Sequence, residues 1–140
     1  MAVQVRRKPE GAPEGLRTVP DVLGARVRAR RGDLGLNQGE LAQVMREQFG
    51  HRWSPGTVSR LEAGQVEPTL SELVSLTLCL YVTFDELTDP VVAGGKPVDI
   101  GLGIEMEAEE ARKFLRGELR VWGAAIPPDR RSPIPPEGRS

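Results

Sequence analysis

From Arg52 to Arg60 the chain reads Arg-Trp-Ser-Pro-Gly-Thr-Val-Ser-Arg, and four residues later comes Gly64. Ser54 is a helix N-cap, Pro55 takes the first helical position, where its missing N–H is harmless, and Gly64 falls just past the helix end. Such a short helix, with small and polar residues outward, can approach a surface of flat hydrogen-bonding edges. Pro55 and Gly56 offer no side-chain hydrogen bonds and permit close backbone approach. Thr57 can meet a thymine methyl, and Arg60 has the reach for a bidentate pair with a guanine. A phosphate contact and a surface salt bridge are the other readings of Arg60.

The elements that position these residues are legible upstream and downstream. A helix is predicted over Asp21 to Asp33, with Leu23, Val27 and Leu34 at helical spacing and Arg26, Arg28 and Arg30 free to face water; Gly35 ends it. Asn37 caps the next helix, with Glu40 three residues on, and Leu41, Val44, Met45 and Phe49 form its apolar stripe. Two capped helices in this order predict a helix-turn-helix that reads DNA. Trp53 and Val58 have hydrophobic-staple spacing about the Ser54 cap. Thr69 and Glu72 open a fourth helix, apolar over much of its circumference and expected to be the central buried one. Thr83 caps a fifth, short helix with Phe84 and Leu87, and Pro90 ends the domain.

Beyond Pro90, Gly94-Gly95-Lys96-Pro97 reads as a linker. Val98, Ile100, Leu102 and Ile104 alternate with period two, although Gly101 and Gly103 weaken a strand there. Glu107 to Trp122 reads as one amphipathic helix with Ala108, Ala111, Leu115, Leu119 and Trp122 on a face. The expected organisation is a disordered basic arm over 1–19, a helix-turn-helix domain over 20–89, an extension over 90–124 and a disordered Pro/Arg-rich tail over 125–140. The fold class is all-α, five helices with a C-terminal extension holding a short strand and one helix.

Charge and composition narrow the function. The net charge is −1, but Met1 to Glu62 carries eleven basic and seven acidic side chains, whereas Ala63 to Glu110 carries Lys96 against ten acidic ones. The positive half therefore coincides with the predicted DNA-binding half; solvated faces are the bland alternative. No apolar run reaches the ~20 residues of a membrane span, and no secretory signal follows Met1. The single Cys79 excludes an intramolecular disulfide and fits a reducing cytoplasm, where it reads as core. His51, the one histidine, has no ligand-forming neighbours in sequence. Gly101-Leu102-Gly103 lacks the remainder of a phosphate-binding motif, and the acidic run Glu105 to Glu110 suits a helix N-terminus. No enzyme, metal or cofactor is expected.

Arg31, Leu34-Gly35-Leu36-Asn37-Gln38, Glu40-Leu41-Ala42, Thr57 to Gly64, Pro68 and Phe84-Asp85-Glu86-Leu87 follow one another in order. With these motifs, Leu23 to Leu87 resembles the DNA-binding domain of the Cro/repressor-type (lambda repressor-like, xenobiotic-response-element) helix-turn-helix family. The resemblance implies five short helices, sequence-specific transcriptional control and dimers. It implies that Gln38 contacts the DNA backbone or braces the recognition helix; a local hydrogen bond at its own helix start is the structural alternative. It implies that Arg31 and Glu62 tie the first helix to the third, that Val58 and Leu61 are core, and that Pro55, Gly56, Thr57, Ser59 and Arg60 lie on the DNA-facing side. Two departures stand out. The segment between Ala42 and Val58 is about six residues longer than the family norm, and the loop Gln65-Val66-Glu67 lacks the basic phosphate contacts that relatives carry. Phosphate binding must then lean on Arg52, Arg60, helix N-termini and the arm, with Ser54 among the candidate DNA-binding residues.

The primary expectation is a prokaryotic or phage regulator, most simply a repressor, that binds double-stranded DNA in the cytoplasm as a homodimer. The dimer contacts are expected over 98–122, because an isolated strand would lack a partner in an all-helical domain. The alternatives are an antitoxin that holds a protein partner through 98–122, and an interaction module that has lost DNA binding.

Overall fold

The computed structural model describes residues 2–4, 6–7, 17–101 and 103–122. Five helices build the predicted domain: α1 (Val19–Asp33), α2 (Gln38–Glu47), α3 (Pro55–Glu62), α4 (Leu70–Leu80) and α5 (Phe84–Leu87). Four of them open with reciprocal capping boxes: Thr18 with Asp21, Asn37 with Glu40, Ser54 with Thr57, and Thr69 with Glu72. Each box satisfies otherwise orphaned N–H groups, which is why these boundaries were readable from local sequence. α1 begins two residues earlier than its apolar periodicity indicates, because Thr18 caps it and Pro20 fits its first turn.

Leu23, Val27, Leu41, Met45, Trp53, Val58, Leu61, Leu76, Leu80 and Leu87 form the main core. Three expectations need correction here. Leu34 is 37% exposed, since it sits at the C-cap of α1 and points away from the packed face. α4 is not buried all round: Leu76 and Leu80 face the core, while Leu70, Val74 and Leu78 face outward. Arg26 and Arg30 likewise do not simply face water. Arg26 Nε donates to the Glu86 carbonyl (3.0 Å), and Arg30 Nε donates to that of Leu80 (2.8 Å). They place positive charge at the carbonyl ends of α5 and α4.

The extension departs further from its expected form. The alternating run is not one strand but a hairpin, β4 (Val98–Asp99) and β5 (Ile104–Met106), because Gly101 and Gly103 take positive φ and turn the chain. The arm supplies strands: β1 (Ala2–Gln4), β2 (Arg6–Arg7) and β3 (Arg17–Thr18). Four strands lie in the order β2-β5-β4-β3, with β3 and β4 parallel and the other pairs antiparallel. The predicted long helix stops early. α6 covers Ala108–Leu115, Gly117 turns the chain at φ +76, and β6 (Arg120–Trp122) pairs parallel to β1. Disorder over 8–16 and 125–140 is an expectation that lies outside the described residues.

A second small core joins this extension to α1. Val22, Val98, Met106 and Ala111 are buried together, with Val19, Ile100 and Phe114 packed beside them. The strand 98–99 therefore has its partner within the chain, which removes the reason for placing a dimer contact there. Asp89, 5% exposed, fastens the junction: it accepts from Arg112 Nε (2.9 Å), Arg116 Nη2 (3.3 Å) and the Val91 N–H (3.0 Å). The guanidinium of Arg17 donates to the Ala93 carbonyl.

Candidate nucleic-acid interface

α3 is held from behind by a single carboxylate. Glu62, at its C-terminal end, accepts from Arg31 Nε at 2.6 Å and Nη2 at 3.0 Å, and from Gln38 Nε2 at 3.1 Å. Arg31 Nη1 also donates to the Leu36 carbonyl (2.8 Å), which fixes the turn into α2. Both ionic side chains are largely shielded, at 15% and 5% exposure. The bond to Glu62 outweighs the effect of burial and raises the Arg31 pKa further. One network therefore joins the end of α1, the start of α2 and the end of α3. Gln38 takes part in this network through its side-chain amide.

Gly24 makes the close approach possible. Any side chain there would run into the backbone carbonyls of Leu61 and Glu62, so α1 can lie against the end of α3 only with glycine at this position. Spacing alone did not single out this residue, since glycine in a helix is otherwise only a weakening.

The long turn between α2 and α3 is tied down at three points. Arg46 Nη1 donates to the Trp53 carbonyl at 2.7 Å. The buried Trp53 indole N–H donates to Glu72, the residue that closes the α4 capping box. His51 Nε2 lies 2.8 Å from Ser75 Oγ; because that hydroxyl donates to the Ser71 carbonyl, the imidazole nitrogen is the donor. Burial disfavours the Glu72 carboxylate, but the Thr69 N–H, the Trp53 indole, the Thr69 hydroxyl and the positive potential of His51 outweigh it and hold its pKa below the usual value. The extra residues are thus a strap across α4. A buried tryptophan N–H demands an acceptor, and that was the available clue.

With its rear fixed, α3 presents an uncommitted front. Val58 and Leu61 are buried, whereas Pro55, Ser59 and Arg60 are exposed and Gly56 and Thr57 are half-buried. The hydroxyls of Ser54 and Thr57 are engaged in the capping box. The Arg60 guanidinium lies back along the helix beside Gly56. Neither Arg60 nor Arg52 has an ion-pair partner among the described residues, so the surface salt bridge considered for Arg60 is not formed. The loop after α3 contributes Glu67 and no cation.

Residues 22–88 match the helix-turn-helix domain family. The chain belongs to the helix-turn-helix family. This domain is that of a DNA-binding transcription regulator. Two crystal structures of the clp gene regulator ClgR from Corynebacterium glutamicum are similar to it. One is 32% identical, covering 49% of this chain and 82% of that one at a TM-score of 0.42. The other is 33% identical, covering 54% and 71% at a TM-score of 0.44. A comparison with curated proteins finds no match. No helix among the described residues is long and apolar enough to cross a membrane, and none of their His, Cys, Asp and Glu side chains form a group of three or more that could hold a metal ion.

Proposed function

We propose that the chain is a sequence-specific regulator that lays α3 in the major groove of double-stranded DNA and acts as a repressor by occupying its operator. The observation that carries this reading is the division of α3 into two faces. Its rear is tied through its own Glu62 to Arg31 and Gln38, while its front holds short side chains and Arg60, which has no ion-pair partner among the described residues. A rigid helix with a free arginine and no bulky outward side chain is what base-edge recognition requires.

In this reading Arg60 pairs with a guanine, Thr57 contacts a thymine methyl, and Pro55, Gly56 and Ser59 permit close approach. Arg52 and the helix start at Ser54 face phosphates. One such helix reads only a few base pairs, so the reading includes a two-fold partner and half-sites about 34 Å apart. Val98, Met106 and Ala111, part of the apolar set that a toxin or another partner would use, are buried with Val22 of α1, which favours a regulator over an antitoxin.

Selection of bound sequences from random DNA tests the reading: a recurring motif of paired half-sites is expected, and no enrichment would overturn it. Arg60→Ala should then cost about 1–3 kcal/mol and relax preference at one position in each half-site. An equal loss on all sequences would make Arg60 a phosphate contact. A reporter carrying the selected site within a promoter distinguishes repression from activation.

A further inference from the structure

α3 is anchored at both ends, by two different carboxylates. Glu62 holds its C-terminal end to α1 and α2. At the other end the anchor is Trp53, the residue before the Ser54 cap, and it is fixed in three ways. Its ring lies in the main core together with Val58, its staple partner one turn into α3. Its carbonyl accepts from Arg46 Nη1 in the last turn of α2 (2.7 Å). Its indole N–H donates to Glu72 Oε2 in the first turn of α4, while Glu72 Oε1 accepts from the Thr69 N–H (2.7 Å). Two residues before Trp53, His51 is bonded to Ser75, one turn further along α4.

We infer that Glu72 is a positioning residue for DNA reading: through Trp53 it aims the first turn of α3, and with it Thr57, at the bases. The inference rests on the major-groove reading above. The Ser54–Thr57 box cannot set this direction, because it bonds only atoms at the start of α3 and travels with the helix. Glu62 fixes one point, about which the rest of α3 can swing. At 1.5 Å of rise per residue, Thr57 lies about 7.5 Å along the axis from Glu62 and Arg60 about 3 Å. A swing of about 5° would shift the first by about 0.7 Å and the second by about 0.3 Å. A binding constellation tolerates about 0.5 Å, so such a swing misplaces Thr57 and spares Arg60. The tie to α4 is what opposes the swing, and the long turn is the segment that carries it. Glu72 thus bears on specificity at one end of α3 without touching DNA.

Selection from random DNA, run on the full chain and its variants, tests this position by position. Thr57→Ser removes the methyl and Arg60→Ala the guanidinium; these two mark the bases that each side chain reads. Glu72→Met keeps an unbranched stem and removes the acceptor. It should flatten preference at the Thr57 position about fivefold or more and change the Arg60 position less than twofold. Glu72→Gln still accepts from the indole and from the Thr69 N–H, and should restore the wild-type profile without the charge. Trp53→Phe keeps a ring, removes the donor and should reproduce the Glu72→Met profile; it carries the test if Glu72→Met fails to fold, as circular-dichroism melting would show. Thr69→Ala is the control for stability. It removes the other half of the α4 capping box, so its Tm should fall while both preferences persist. Equal flattening at both positions, or a Thr69→Ala profile as flat as that of Glu72→Met, would make Glu72 a merely structural residue and overturn the inference. A Glu72→Met profile identical to wild type would overturn it and leave the DNA reading standing. A wild-type chain that enriches no motif overturns the DNA reading, and the role of Glu72 with it.

Discussion

Glu62 and Asp89 are both 5% exposed carboxylates that hold arginines from other elements, yet they do different work. Glu62 ties together three helices of the reading head, and its partners Arg31 and Gln38 lie upstream in the same domain. Asp89 ties the last turn of that domain to α6, through Arg112 and Arg116. One buried charge sets the pose of α3, the helix proposed to read DNA; the other sets where an appendage is parked. Disrupting each should therefore separate function from attachment.

The largest effect is expected from Glu62→Ala. It leaves the shielded Arg31 without its counter-charge, a change worth about 3 kcal/mol or more. Thermal melting and DNA affinity should fall together; lost binding at an unchanged Tm would show that Glu62 touches DNA and is not a brace. Gly24→Ala comes next, at about 1–3 kcal/mol, because its methyl must displace the backbone at the end of α3. Binding should suffer beyond what the melting shift explains, and an unperturbed variant would mean that α1 and α3 are less tightly apposed.

Asp89→Asn should affect the other region, by about 1–2 kcal/mol in melting, with operator affinity within twofold of wild type. Limited proteolysis should then cut near Gly117 more readily. Its pH behaviour sharpens the comparison. Burial favours the neutral acid, but Arg112 and the N–H groups of Val92 and Val91 outweigh it and hold the Asp89 pKa below the usual value. A depressed folded-state pKa means that the folded chain takes up this proton less readily than the unfolded chain. The stabilisation is present above the ordinary aspartate pKa of about 4 and is lost as pH falls through the lower folded-state value. Glu72 contributes with the same sign. Acid titration of stability should be shallower in Asp89→Asn than in wild type; equal slopes would mean that Asp89 keeps its ordinary pKa. The smallest effect belongs to Arg52→Ala, which should weaken all DNA complexes alike and reduce the salt slope by about 1. Sequence-dependent loss would move Arg52 from phosphate to base contact.

The same contrast governs how much could be read in advance. Helix starts and stops in the domain are set within four residues of chain, by Asn37 with Glu40, Ser54 with Pro55, and Gly35 and Gly64, so they were legible. The Arg31–Glu62 contact was legible only through resemblance. The extension was not, because its form depends on partners far away in sequence: Arg17 and Thr18 pair with Val98 and Asp99, and Asp89 waits for Arg112. Periodicity over 107–122 suits a helix, but Gly117 and the pairing of Ala2–Gln4 with Arg120–Trp122 override it. For α4, an excess of apolar residues could not say which face meets the core and which is left bare.

α1 has one further consequence. It is a rod of 15 residues, roughly 22 Å long, gripped near its first turn by Val98 and Met106 and near its last by Glu62. Neither grip closes around a rod that has melted. The domain and the extension should therefore unfold as one cooperative unit, with a single calorimetric peak whose van't Hoff and calorimetric enthalpies agree. Cutting the chain after Asp89 would not release a clean reading head, because it would strip Val22 of its cover and leave a carboxylate with no cation.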